Sequence, residues 1–192
     1  QPFVTKPPAF ERQGVTEDDL IDYTPELREE AKRLVANYKM GPIFTPPVVS
    51  TWPGPLGTLI SPVVTGGANW QGGALDPETN FLYIFSNSGG ASLGLTPPAE
   101  GRSDMRYVQG TARNPNAAPA AGRGGAPGGG EGGGGLTVRG LPFLKPPYAR
   151  ITAFDMNKGD LKWQVAHGET ADNVKSNPAL RGVNVPRTGR QG

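Results

Sequence analysis

Cysteine is absent from the 192 residues, which excludes disulfides, thiolate metal sites and a Cys-x-x-Cys-His haem attachment within the chain while leaving its redox compartment open. Long apolar runs are also missing. No stretch approaches the roughly 18 consecutive apolar residues of a membrane span. The opening Gln1-Pro2-Phe3-Val4-Thr5-Lys6-Pro7-Pro8 has no basic start followed by an apolar core, so it does not read as a signal peptide. Charge of one sign is scarce too: 19 basic and 17 acidic residues leave a net +2 without long like-charge runs. Such a balance supplies no electrostatic footprint for nucleic acid or an anionic membrane, and neither partner is expected.

What the chain has in abundance is glycine, 29 residues, and proline, 21, against an apolar fraction of only 35%. That composition lies near the point at which disorder competes with a packed core, but much of the Gly and Pro falls in a few stretches. Residues 117–135 are nearly all Gly, Ala and Pro, too few side chains to offset the entropy of ordering them, and are expected to form a mobile surface loop. The chain has no initiator Met and stops in turn-type residues, Pro186 to Gly192, so both ends are expected to be cuts from something longer.

Residues 1–14 are Pro-rich and extended, and Thr16-Glu17-Asp18-Asp19 offers a capping residue followed by acids, enough for one helical turn. A helix is predicted over Pro25–Lys39. Thr24 is its N-cap, Pro25 takes the first position where a missing N–H is harmless, and Gly41 with Pro42 stops it. Leu27, Ala31, Leu34, Val35 and Tyr38 share one face, while Glu29, Glu30, Lys32 and Arg33 face water. From Pro46 onward, short apolar runs broken by Gly, Pro and Asp-Pro predict strands at Thr58–Ser61, Gly73–Asp76, Phe81–Ser86, Ala149–Asp155 and Asp160–Ala166.

Two segments, Ala74 to Ile84 and Ala153 to Trp163, share the pattern Ala-x-Asp, a turn, then Leu and an aromatic or β-branched pair. Each reads as a hairpin whose Asp caps the turn. Repetition at long spacing suggests propeller blades over a single sheet, and two unrelated hairpins is the alternative.

The segment Gly66-Gly67-Ala68-Asn69-Trp70-Gln71-Gly72-Gly73-Ala74-Leu75-Asp76-Pro77 is similar to the Gly-Gly-x-Asn-Trp … Asp-Pro segment of pyrroloquinoline quinone (PQQ)-dependent dehydrogenases. Ala153 to Trp163 resembles the tryptophan-docking blade motif of that family. The segments Lys145 to Ala153 and Gln1 to Pro8 extend the likeness, and Gly14 to Pro47 resembles an insertion between blades in membrane-type glucose dehydrogenase relatives. The resemblance implies an all-β fold, here a partial β-propeller from an eight-bladed quinoprotein ring, with one inserted amphipathic helix and a disordered Gly-rich loop.

On that basis the chain divides into an extended inter-blade segment, 1–23, and the inserted helix, 24–41. A blade region with the Asn-Trp segment follows at 42–110, then a flexible loop at 111–140 and a blade region with the docking motif at 141–192. The remaining blades are expected to lie outside the chain.

The resemblance further implies oxidation of an alcohol or sugar by hydride transfer to PQQ, with calcium polarising the quinone carbonyl and a carboxylate as general base. A membrane quinone or cytochrome would accept the electrons in the periplasm, and any membrane anchor would precede Gln1. The calcium ligands, the catalytic Asp and the Arg beside the quinone are expected upstream of Gln1, so this stretch alone is expected to be inactive, with no metal ligand of its own. Asn69 and Trp70 match family positions near the cofactor. The Asn69 amide can donate to an oxygen, and the flanking glycines let backbone approach a flat ligand. A strand entry at the propeller axis, with Trp70 packed between blades, is the competing account of the same residues.

Other candidates read as structural. His167 is the single histidine, just past a strand and without an identifiable orienting carboxylate. Trp163 fits a ring wedged between blades. Glu17, Asp18, Asp19 and Asp22 lack the spacing of a calcium loop and read as a solvated, helix-capping face. Asp76 and Asp155 occupy equivalent turn positions, against a paired acid–base role. Gly122-Arg123-Gly124-Gly125 is too little for an RNA-binding tract. Two further readings stay open: a propeller of the same ancestry that lost its cofactor and serves as a binding scaffold, and a short, mostly disordered protein. An incomplete ring exposes apolar faces and strand edges, so the isolated chain is expected to fold poorly or to associate.

Overall fold

A computed structural model describes residues 4–70, 72–116 and 135–189. Residues 117–134 of the expected mobile loop lie outside them.

In chain order the strands begin with β1 (Gly14–Val15), followed after helix α1 (Pro25–Val35) by β2 (Gly41–Pro42), β3 (Val48–Val49) and β4 (Thr58–Ile60). Then come β5 (Gly73–Asp76), β6 (Phe81–Asn87), β7 (Ala91–Thr96) and β8 (Val108–Gln109). The last strands are β9 (Thr137–Val138), β10 (Leu141–Pro142), β11 (Ala149–Asp155) and β12 (Asp160–Ala166), before the short helix α2 (Asp172–Lys175).

The main sheet has four strands in the order β5-β6-β11-β12, every neighbour antiparallel. Its two hairpins are the two repeated segments, and their turns are built alike. Asp76 accepts from the Glu78 amide at 3.0 Å, and Asp155 accepts from the Asn157 amide at 3.0 Å. Each turn closes four residues after its Asp through a left-handed residue, Asn80 (φ 57°) in one and Gly159 (φ 68°) in the other. The turns are then tied together. Asn80 donates from its amide to Asn157 at 2.9 Å, and Asn157 donates to the Thr79 carbonyl at 3.1 Å.

This arrangement corrects one expectation. The repeated hairpins do not belong to separate sheets: β6 and β11 pair from Phe81 with Asp155 to Asn87 with Ala149, joining them into one antiparallel blade. A long ladder between two apolar strands satisfies backbone groups that would otherwise be left at two edges. The architecture is that of a single propeller blade, and the open edges and faces around it are those of a partial propeller.

A second sheet gathers β3, β4 and β8 around β7, with β3 parallel and β4 and β8 antiparallel to it. No expectation covered β7, because Gly94 interrupts its apolar pattern. The glycine is required by close approach: a Cβ there would stand 2.5 Å from the Gly110 carbonyl oxygen and 2.6 Å from that of Leu56.

The hydrophobic core lies under the helix. Leu27, Ala31 and Val35 of α1 are buried with Val138, Leu141, Phe143, Leu144, Val174 and Leu180, and Leu34 and Tyr38 pack against the cluster. Thr24 caps the helix by accepting from the Leu27 amide at 3.3 Å. Arg139, beside the β9–β10 hairpin, pairs with Glu30 on the helix. That hairpin occupies the end of the segment 111–140 expected to be flexible; Val138 is buried in the core, which offsets the entropy of ordering it.

The helix ends at Val35, four residues before the predicted Lys39. Strand pairing takes over there: Asn37 accepts from the Leu56 amide at 2.7 Å, and Lys39 donates to Gly57 at 2.9 Å. Gly41, expected as the helix stop, instead pairs through β2 with β1.

Candidate functional site

The Gly-Gly-Ala-Asn-Trp segment forms the connection into β5, tied at its base and open at its tip. The Gly66 amide donates to Val63 at 2.8 Å, and the Gly67 carbonyl accepts from the Asn87 amide at the end of β6 at 2.7 Å. Beyond that tie, Asn69 and Trp70 stand together in solvent. Trp70 is 95% exposed, and the Asn69 amide has one long contact, 3.4 Å, to the Thr65 carbonyl. Among the described residues, and chain neighbours apart, nothing lies within 4 Å of where a Cβ on Gly72 would stand.

Beneath the loop lies a buried polar cluster that sequence reasoning missed. Glu11 is 6% exposed. Its Oε2 accepts from the Ser86 hydroxyl at 3.0 Å and the Ser88 hydroxyl at 2.8 Å, while its Oε1 lies 3.4 Å from Arg150 and accepts from the Arg12 amide at 3.1 Å. Arg150 also donates to Gln164 at 3.0 Å, and Gln164 reaches the Phe10 carbonyl at 2.8 Å. Burial pushes the Arg150 guanidinium below its ordinary value, an effect that the Glu11 carboxylate opposes. Arg12 extends the cluster, with Nε 3.2 Å from Asp19 and one amino group donating to the Lys145 carbonyl at 2.7 Å. Arg12 is the neighbour of Glu11, but Arg150 and the two serines lie far from it in sequence and share no motif with it, so no local signal marks Glu11 and Arg150 as partners.

Of the remaining candidates, His167 packs its ring edge-on against Phe85, centroids 5.0 Å apart. Asp19 accepts from the Thr16 amide at 2.9 Å, as a capping acid does, but also serves Arg12. Trp163 packs on Tyr83 of its own sheet. The Asp76 carboxyl is held below its usual range chiefly by the Thr79 hydroxyl and then by the Glu78 amide. Among the described residues no group of three or more His, Asp or Glu side chains could hold a metal ion. No helix among them is long and apolar enough to cross a membrane.

A four-stranded antiparallel blade entered through an Asn-Trp loop invites comparison with known propellers. The family model for the PQQ-containing glucose/ethanol/alcohol dehydrogenase β-propeller domain matches residues 1–191. The chain belongs to this family. A curated relative, the quinate/shikimate dehydrogenase (quinone) of Acinetobacter baylyi, is 25% identical over 173 residues, 90% of this chain and 20% of that protein. The chain thus spans about a fifth of the length of the relative it matches. PQQ and alcohol or sugar dehydrogenation are what the description of this propeller family names.

The residues present fit such a group. PQQ is a planar quinone bearing carboxylates, so its holder needs a flat apolar face and N–H donors. Trp70 and Asn69 offer one of each, and the open space at Gly72 leaves room for a flat ligand beside the backbone.

Proposed function

We propose that this quinoprotein segment supplies the cofactor-facing loop of a PQQ-dependent dehydrogenase that oxidises an alcohol or sugar. The observation that carries the reading is the Asn69–Trp70 loop, fixed at Gly67 and presenting an amide donor and an indole together in solvent. In this reading Asn69 donates to a PQQ oxygen and Trp70 covers part of its plane. When bound, PQQ supplies the two-electron acceptor for the hydride leaving the substrate's carbinol carbon. The chain's own contribution is to bind and orient. Calcium, the general base and the arginine beside the quinone belong, in this reading, to segments outside the described residues. A periplasmic location, with a membrane quinone or cytochrome as acceptor, completes the proposal and rests on family membership alone.

The test is PQQ- and calcium-dependent dye reduction by the full-length protein over a panel of alcohols and aldoses, with quinate and shikimate included because the relative is named for them. Asn69→Ala removes one hydrogen bond and is expected to weaken PQQ about tenfold. Activity needing both cofactors, with that loss, supports the reading. A full-length protein that neither binds PQQ nor reduces dye would instead favour the scaffold.

A further inference from the structure

Glu11 takes no part in the proposed chemistry, yet it touches the loop that does. Its Oε2 accepts from Ser86 and Ser88, the residues on either side of Asn87. The Asn87 amide is the donor that holds the Gly67 carbonyl, at 2.7 Å. Gly67 also rests directly on the Glu11 side chain, for a Cβ built on it would stand 2.9 Å from the Glu11 Cγ. One carboxylate thus fixes both the peptide that anchors the loop and the surface on which the loop lies. Asn69 follows only two residues later.

A buried ion pair is a weak source of net stability, because desolvating both charges offsets most of their attraction. What it provides is direction: a carboxylate with several set donors has one low-energy orientation, whereas an apolar side chain of similar size has several. The donors here are two hydroxyls, a guanidinium and a backbone amide.

We propose that Glu11, with Arg150 as its counter-charge, is a positioning residue that sets where Asn69 meets the cofactor. The inference rests on the reading of Asn69 as a PQQ donor. It concerns how that donor is placed, and Glu11 itself touches no reacting atom.

The experiment uses the full-length protein with Glu11→Gln, Asn69→Ala and the pair together, measuring PQQ affinity by equilibrium titration and exchange of the Asn87 amide without PQQ. Glu11→Gln keeps the side-chain length but removes the charge that orients Arg150. It is expected to speed Asn87 exchange and to weaken PQQ about tenfold, a loss that vanishes when Asn69 is already alanine. Equal losses in both backgrounds, or unchanged Asn87 exchange, overturn the proposal. Should Glu11→Gln fail to fold, Gly67→Ala presses a methyl group against Glu11 instead; its effect on PQQ is expected to depend on Asn69, and independence overturns the proposal. If the wild type binds no PQQ, the functional reading fails and with it the role assigned to Asn69. The exchange result then reports separately whether Glu11 anchors the loop.

Discussion

Tyr83 and Trp163 meet above Ala153, their ring centroids 5.8 Å apart and their planes inclined by 38°. Both residues pair with Ala153 across β11, so the three share one face of the sheet, and the small alanine lets the rings close over it. Ala153 is fully buried by them. The next row on that face is Phe85, Ile151 and Val165. Val165 is 51% exposed and Trp163 is 40% exposed.

Expressed alone, residues 1–192 are expected to associate through this face, because a contiguous apolar patch beside unpaired strand edges is a docking surface for more protein. Sedimentation velocity across a concentration series checks this. A concentration-independent monomer with a sharp, cooperative melting transition would contradict it.

Arg12 is expected to be worth more to stability than a surface arginine. Its side chain is 10% exposed and bridges Asp19 to the Lys145 carbonyl, tying the N-terminal segment to the residues that lead into β11. Arg12→Met leaves Asp19 with only its Thr16 donors and takes the guanidinium from the Lys145 carbonyl, and is expected to cost about 2 kcal/mol in urea unfolding of the full-length protein. A change below about 0.5 kcal/mol would place this contact with ordinary surface pairs.

Alkaline pH is expected to loosen the region around Tyr148. Burial raises the Tyr148 hydroxyl above its ordinary value of 10.0, and burial likewise raises Tyr23, whose hydroxyl lies 3.3 Å away. A raised folded-state value means that the unfolded chain releases its protons first. The stabilising contribution is therefore complete below pH about 10 and declines as pH climbs toward the folded-state value. Melting temperature followed from pH 8 to 11 in the full-length protein and in Tyr148→Phe checks the sign: the alkaline decline is expected to be shallower in the variant. Parallel declines would place the titrating group elsewhere.

The elements that the sequence determined by itself are those whose signals are local. Thr24 and Pro25 mark the helix start because capping and proline geometry act within one turn, and the face of Leu27, Ala31 and Val35 follows from helical spacing. The two hairpins follow from Asp76 and Asp155 with the left-handed residues that close their turns. Asn69 and Trp70 stand out through the motif that carries them, and family membership is legible for the same reason.

What only the tertiary structure decided depends on partners far away in sequence. Helix or strand at Asn37 to Lys39 is settled by the backbone of Leu56 and Gly57, which offers hydrogen bonds that helical spacing cannot foresee. One blade or two is settled by the pairing of β6 with β11 across a long insertion. The floor beneath Gly67 is settled by Glu11, held by Arg150, the two brought together only when the N-terminal segment crosses the blade. Burial makes that pair matter, since a carboxylate and a guanidinium removed from water must find each other's charge, the carboxylate taking up nearby donors and the guanidinium nearby acceptors.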